Sequence, residues 1–221
     1  MRNVTIQIAS VPDRVHMLKE TIESLYGQAE TINVFLNNYD FVPAFLNQKG
    51  INTMMLDNST GDAAKFYGVE KLKGYIFTCD DDLVYQANYI KKTIKKLQLY
   101  KDKAIVTYHG KNFEKPITDF YHGKQKKYHC LMEVDKDIKV EVGGTGVMAF
   151  HNTAIRVKYK DFYTRNMADI HISRLAKQQK VDIICLRHLH NEFRYKSPHN
   201  TIWDDHNKDC EVHTKEVNKF L

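Results

Sequence analysis

Three carboxylates, Asp80, Asp81 and Asp82, follow the apolar run Tyr75–Ile76–Phe77–Thr78–Cys79 without a gap. Adjacent like charges repel, and each carboxylate costs free energy to desolvate. One account is local: Asp favours helix N-caps and first turns, where it complements the helix dipole. Three in a row exceed what a cap needs. The other account is a divalent cation. Mg2+ and Mn2+ take hard oxygen ligands, commonly one or two carboxylates plus phosphate oxygens of a substrate. In an extended chain side chains repeat every two residues, so Asp80 and Asp82 are expected on one side and Asp81 on the other, serving structure.

The elements that must position such a site alternate along the first half of the chain. Residues 4–10 read as a strand, 15–28 as a helix with Val15, Leu18, Ile22, Leu25 and Tyr26 on one stripe, 32–38 and 51–56 as strands. Residues 62–72 read as a short helix, 74–79 as a strand, 87–100 as a helix and 103–110 as a strand. The pattern weakens from 111 to 140. A strand-like "KVEV", a "GGTG" turn (143–146), a strand (147–152), a helix (167–179) and an apolar strand (181–186) follow. The alternation predicts an α/β fold with a Rossmann-like, mostly parallel central sheet flanked by helices, in a single domain. Ligands of such sheets bind beyond the carboxyl ends of strands. Polar clusters stand there: "SVPDR", "NNYD", "DNSTGD" and the aspartate triplet itself.

Composition narrows the class. In 221 residues, 43% are hydrophobic and 27% charged, the balance of a soluble globular protein, and no apolar run reaches a membrane-spanning length. The N-terminus lacks the apolar core of a signal peptide, so a cytoplasmic protein is expected. The formal net charge of +6 suits anionic small ligands but is too dispersed for nucleic acid. The lysines of "KKTIKK" and "KQKK" read either as a solvated face or as a peripheral contact with the inner membrane surface. Cys79, Cys130, Cys185 and Cys210 form no C-x-x-C pair, so neither a zinc ribbon nor a redox motif is expected.

At this point the chain resembles a known family. "GYIFTCDDDLVYQANYIKK" is similar to the DxD segment of family-2-like glycosyltransferases of GT-A fold, small bacterial sugar transferases among them. "IASVPDR", "DNSTGDAAKFYGVEKL", "VGGTGVMAFH" and "NMADIHISRLAKQQKVDIICLRH" follow in the family's order over roughly residues 4 to 190. The resemblance implies a metal-dependent transferase, of hexosyltransferase type, that moves a sugar from a UDP-sugar to a hydroxyl of a glycan or lipid-linked acceptor. It implies Mn2+ or Mg2+ at Asp80 and Asp82, completed by His188 or, in its place, His190; a histidine would tilt the site toward Mn2+. Asp169 would be the general base of an inverting transfer.

Ser10, Val11, Arg14, Asn38, Asp40, Asp62, Lys65, Asp80 and Asp81 would line the donor. Gly143, Gly144, Thr145, Gly146 and Ala168 would lie on the acceptor side, the glycines freeing the backbone for a tight turn. Residues 1–110 would form the nucleotide-binding half, 111–190 the acceptor half, and 191–221 a tail or a lid carrying Arg194 and Lys196. Two other readings stay open. A nucleotidyltransferase would share the sheet and the acidic site, although "SVPDRVHM" lacks the glycine-rich basic loop that holds a triphosphate. A non-catalytic nucleotide- or carbohydrate-binding protein would need the aspartates but not Asp169. Oligomeric state has no signature in the sequence.

Overall fold

The computed structural model describes residues 3–195 and 210–221. Its centre is an eight-stranded sheet. In chain order the strands are β1 (Val4–Ser10), β2 (Thr31–Asn37), β3 (Ile51–Leu56), β4 (Tyr75–Cys79), β6 (Ile105–Thr107), β9 (Ile138–Val140), β11 (Val147–His151) and β12 (Ile183–Cys185). Their spatial order is β3-β2-β1-β4-β11-β6-β12-β9. The β3, β2, β1 and β4 strands pair in parallel, as do β6 and β12, while β11 runs antiparallel between β4 and β6. A mostly parallel, helix-flanked α/β sheet is therefore what the alternation predicted.

Helices α1 (Val15–Leu25), α2 (Tyr89–Leu99) and α3 (Ala168–Gln178) cover the sheet. Adjacent residues of one strand feed opposite cores, as the two-residue repeat requires. Phe77 packs with Ile6, Ile8, Leu18, Ile22 and Leu97, whereas Ile76 packs with Ile105, Phe150, Ile172 and Leu175. A smaller apolar cluster, with Phe113, Phe120, Ile170 and Val217, lies under α4 (Glu211–Asn218).

Several boundaries differ from the sequence reading. The helix expected over 62–72 is two 3-10 turns, Gly61–Phe66 and Val69–Lys71, separated at Gly68, whose φ of 68° lies in the left-handed region and stops helical propagation. The helix expected to reach 28 ends at Leu25, before Gly27 with φ 80°. The weakly patterned stretch 111–140 holds strands too. β7 (Gly110–Phe113) pairs antiparallel with β8 (Gln125–Tyr128) and with β10 (Val142–Gly143). A two-stranded ladder joins β5 (Leu83–Tyr85) to β13 (Phe193–Tyr195). Arg194 belongs to this ladder, opposite Val84, rather than to a free lid. Lys196, the other lid residue, lies outside the described residues.

Candidate functional site

The carboxyl ends of β1, β2 and β4 converge on the aspartate triplet. β4 ends at Cys79, and Asp81 and Asp82 already lie in a turn, so the two-residue alternation does not carry through the triplet. The division differs from the one expected. Asp80 stands apart and is ion-paired with Lys65. Asp81 and Asp82 share Arg14, at 3.0 and 3.5 Å. Asp81 and Asp82 are buried, while the Asp80 side chain is 42% exposed. The Asp80 backbone N–H is held by the Gly146 carbonyl at 3.0 Å and lies 2.9 Å from the Tyr85 hydroxyl, which donates to the same carbonyl at 2.6 Å.

The "GGTG" turn explains itself by space rather than by backbone freedom. None of Gly143, Gly144 and Gly146 has a left-handed φ. A Cβ on Gly146 would instead lie 1.9 Å from Asp80 Oδ2, and one on Gly144 would lie 2.9 Å from the His109 side chain. The close approach of this turn to the acidic strand end is what excludes side chains.

Between these two glycines Thr145 is buried and donates twice to Asp169 Oδ1, from its backbone N–H and its hydroxyl, each at 2.7 Å. Asp169 stands in the first turn of α3. Its Oδ2 takes no hydrogen bond among the described residues, so one oxygen is fixed and the other is available to a proton donor. Burial raises the Asp169 pKa against the opposing pull of the Thr145 donors. Asp62 reaches the same place from the other direction. Its Oδ1 lies 3.4 Å from the Ala168 N–H at the start of α3, and burial lifts its pKa to about 7. Gly61 permits this approach: it has φ 59°, and a Cβ there would sit 1.8 Å from Asn166 Oδ1.

Lys65 is the pivot. It is 2% exposed, and despite burial the Asp80 and Asp62 carboxylates raise its pKa. Five carboxylates, Asp62, Asp80, Asp81, Asp82 and Asp169, thus face the cations Arg14, Lys65 and Lys111, an excess of two formal negative charges. Lys111 is coupled to Asp169 and packs its ammonium 3.9 Å from the Phe120 ring centroid; burial brings its pKa down to about 8. Burial and the excess negative charge together raise the carboxyl pKa values here. Burial, with Asp80 and Asp81 adding to it, lifts Asp82 to about 8. Only Asp80 is held below the ordinary carboxylate range, where Lys65 outweighs the effect of burial. A divalent cation fits this site by charge: it would replace protons at the carboxylates. Asp81 Oδ2, buried without a hydrogen-bond partner among the described residues, also suits a cation or a ligand hydroxyl.

The other predicted residues divide. The Ser10 hydroxyl and Tyr39 OH lie 3.1 Å apart, and Tyr39 donates to the Val11 carbonyl at 2.9 Å, closing the turn after β1 beside Arg14. Asn38 and Asp40 are exposed, and the Asn38 side chain receives the Asn58 N–H, so "NNYD" serves loop structure. The neighbouring Asn37 is the buried residue of that pair and donates to the Gly61 carbonyl at 3.0 Å.

The structure does not offer His188 to an ion. It is buried, and its ring nitrogens face the carbonyls of Leu186 at 2.7 Å and His129 at 3.1 Å. His190 is exposed and contacts Asn191. The histidine within electrostatic reach of Asp80 is His109, which burial keeps neutral by pushing its pKa down to about 3; sequence reasoning passed over it inside a strand-like run. Lys111 and Tyr85 were missed too; the only cue for Tyr85 was a β-prone residue shortly after the triplet.

No protein-family model matches this sequence, and no curated protein matches it. Among solved structures, the fold is similar to the crystal structure of 4-diphosphocytidyl-2C-methyl-D-erythritol synthase from Anaerococcus prevotii. The TM-score is 0.51 and the identity 11%, over 96% of each chain. At that identity the likeness concerns the fold alone, a mostly parallel α/β sheet flanked by helices.

Proposed function

We propose that this chain is a metal-dependent glycosyltransferase that moves a sugar from a nucleotide-sugar, of UDP type, to a hydroxyl of a glycan or lipid-linked acceptor. In this reading residues 1–110 and 111–190 are two halves of one domain. The observation that carries it is the turn at Thr145 and Gly146. One short segment holds Asp169 through two donors and presses against Asp80, so a proton acceptor and a donor-side acidic site are built to a common geometry.

Asp169 acts as general base through Oδ2. A carboxylate with one oxygen saturated keeps its orientation, and its raised pKa brings it nearer the pKa that proton abstraction favours at neutral pH. The acceptor hydroxyl loses its proton to Oδ2 as its oxygen attacks the anomeric carbon, and the nucleoside diphosphate departs with the bond's electron pair. Mn2+ or Mg2+ held by the aspartate triplet, Asp80 to Asp82, would supply positive charge to that diphosphate. Lys65 and Arg14 keep the carboxylates in place before donor arrives. Inversion at the anomeric carbon follows from a single displacement.

Transfer of a nucleotidyl group is the second reading, favoured by the fold likeness to the diphosphocytidyl-methylerythritol synthase. Against it, the cation that follows β1, Arg14, is committed to Asp81 and Asp82 rather than free for a triphosphate. One experiment separates the two. The protein is incubated with Mn2+ and a panel of UDP-sugars, and separately with CTP or UTP and sugar or polyol phosphates. Release of UDP that falls at least a hundredfold in Asp169→Asn, while UDP binding persists, supports sugar transfer. Release of pyrophosphate instead establishes the nucleotidyltransferase, and UDP release unaffected by Asp169→Asn removes Asp169 as base.

A further inference from the structure

Beside the carboxylates, within electrostatic reach of Asp80 but sharing no ligand with them, a second group of metal-ligating side chains assembles. His109 follows β6, and His129 and Cys130 follow β8. One donor atom from each lies within 4.8 Å of the others. The two imidazoles pack with centroids 4.6 Å apart and planes inclined by 62°. Cys130 is buried and free of any disulfide.

Two imidazoles and a thiol are borderline and soft donors, the set that selects Zn2+ and its chemical neighbours over Mg2+ or Mn2+. Around a tetrahedral ion with ordinary Zn–N and Zn–S bonds, two nitrogens and a sulfur stand about 3.3–3.6 Å apart. The observed donor atoms, all within 4.8 Å of one another, reach that spacing by a closure of at most about 1.5 Å.

The backbones that carry these ligands are braced from both sides. The His109 carbonyl receives the Gly144 N–H at 2.7 Å and the Thr107 hydroxyl at 3.1 Å. The His129 carbonyl faces Nε2 of the buried His188 at 3.1 Å. His188, expected from the sequence as a ligand, therefore supports a residue that carries one. The ring nitrogens of His109 take no hydrogen bond among the described residues. His129 Nδ1 receives only the long contact from the Leu131 N–H, at 3.2 Å, which ion binding exchanges for a metal bond.

We propose that His109, His129 and Cys130 form a transition-metal site of the Zn2+ class, separate from the carboxylate site, with three protein ligands and a fourth place for water. Binding releases the thiol proton of Cys130 to solvent, so one ion enters and one proton leaves the sulfur. The ion clamps the segment between its ligands, residues 110–128 with β7 and β8, onto the end of β6. That segment carries Lys111, which lies within electrostatic reach of Asp169 and packs on the Phe113 and Phe120 rings.

The test uses the full chain, reduced and stripped with chelator, and Co2+ as a coloured probe. The expected result is one equivalent of Co2+ with ligand-field absorption of tetrahedral intensity and a thiolate-to-cobalt charge-transfer band, both abolished by equimolar Zn2+. Cys130→Ser loses the charge-transfer band, and His109→Gln loses the tetrahedral spectrum. Asp80→Asn retains both, which separates this site from the acidic one. Far-ultraviolet circular dichroism of the stripped variants checks folding. Should Cys130→Ser fail to fold, His109→Gln and the Zn2+ competition decide. Absence of the bands in the parent chain overturns the proposal. So does their persistence in Cys130→Ser or His109→Gln, or their loss in Asp80→Asn.

Discussion

Raising the pH from 6.5 to 8 in chelator tests the electrostatics of the acidic site directly. Asp82 is lifted from an ordinary 3.8 to about 8 and Asp62 from 3.8 to about 7, chiefly by burial. A carboxylate whose folded pKa is raised binds its proton more tightly in the folded state. Stability is then highest below the unfolded pKa and falls as pH rises, until the folded pKa is passed. Between pH 3.8 and 6.5 two histidines oppose this. His109 is pushed down to about 3 and His171 to about 4, so folding gains as the unfolded histidines lose their protons. Above 6.5 that compensation fades.

Over the window from 6.5 to 8, Asp82 and Asp62 together cost about 2–3 kcal/mol, at 1.36 kcal/mol for each full pH unit of differential proton binding. The two histidines return under about 1 kcal/mol, and Lys111, brought down to about 8 by burial, returns a few tenths more because the folded state sheds its proton first. Asp81 and Asp169, also raised by burial, act in the direction of Asp82. A net loss of about 1–2 kcal/mol corresponds to a fall in Tm of roughly 2–8 °C for a chain of this size. Calorimetry in chelator at quarter-unit pH steps reads it. Asp82→Asn should remove more than half of the slope, and Mn2+ with UDP should flatten it, since bound cation replaces the protons. A Tm that is level or rising across this window, or a slope unchanged in Asp82→Asn, would refute the charge accounting.

Three substitutions probe the parts separately. Gly146→Ala places a Cβ where the Asp80 carboxylate now lies; the carboxylate swings away from the buried Lys65, Tm falls, and the Mn2+-dependent UDP stabilisation is lost with about a hundredfold fall in kcat, measured by melting with ligand and by turnover. Thr145→Val removes the hydroxyl donor to Asp169 but keeps the backbone one. It should cost about 1.5–3 kcal/mol of charged hydrogen bonding and move the acidic limb of the kcat profile upward, because the ionised carboxylate loses a stabilising donor. Lys65→Met strips the buried cation from Asp62 and Asp80 and should destabilise by about 3–5 kcal/mol in denaturant melts; adding Asp80→Asn should recover part of the loss.

The order of elements was legible from the chain itself. The alternation of Val4–Ser10 with Val15–Leu25 and the following strands demands a helix-covered sheet, because those repeats are local properties of the backbone. The same logic put the aspartate triplet at a strand end and Asp169 in a helix's first turn. Pairings within the site were not legible. Lys65 is expected to line the donor, but nothing in "DAAKFYG" tells that it is buried between Asp62 and Asp80. Asp80 parts company with Asp82 because the strand stops one residue earlier, and Arg14, 67 and 68 residues away, claims Asp81 and Asp82. The glycines of "GGTG" look like a flexible turn and are in fact a close approach. His188 looks like a ligand and is a brace, while His109, His129 and Cys130 meet only because β7 and β8 return the chain. Sequence periodicity determines which face of each element is apolar. Which polar groups share a cleft depends on contacts across tens of residues, and those exist only once the sheet order β4-β11-β6-β12 is built.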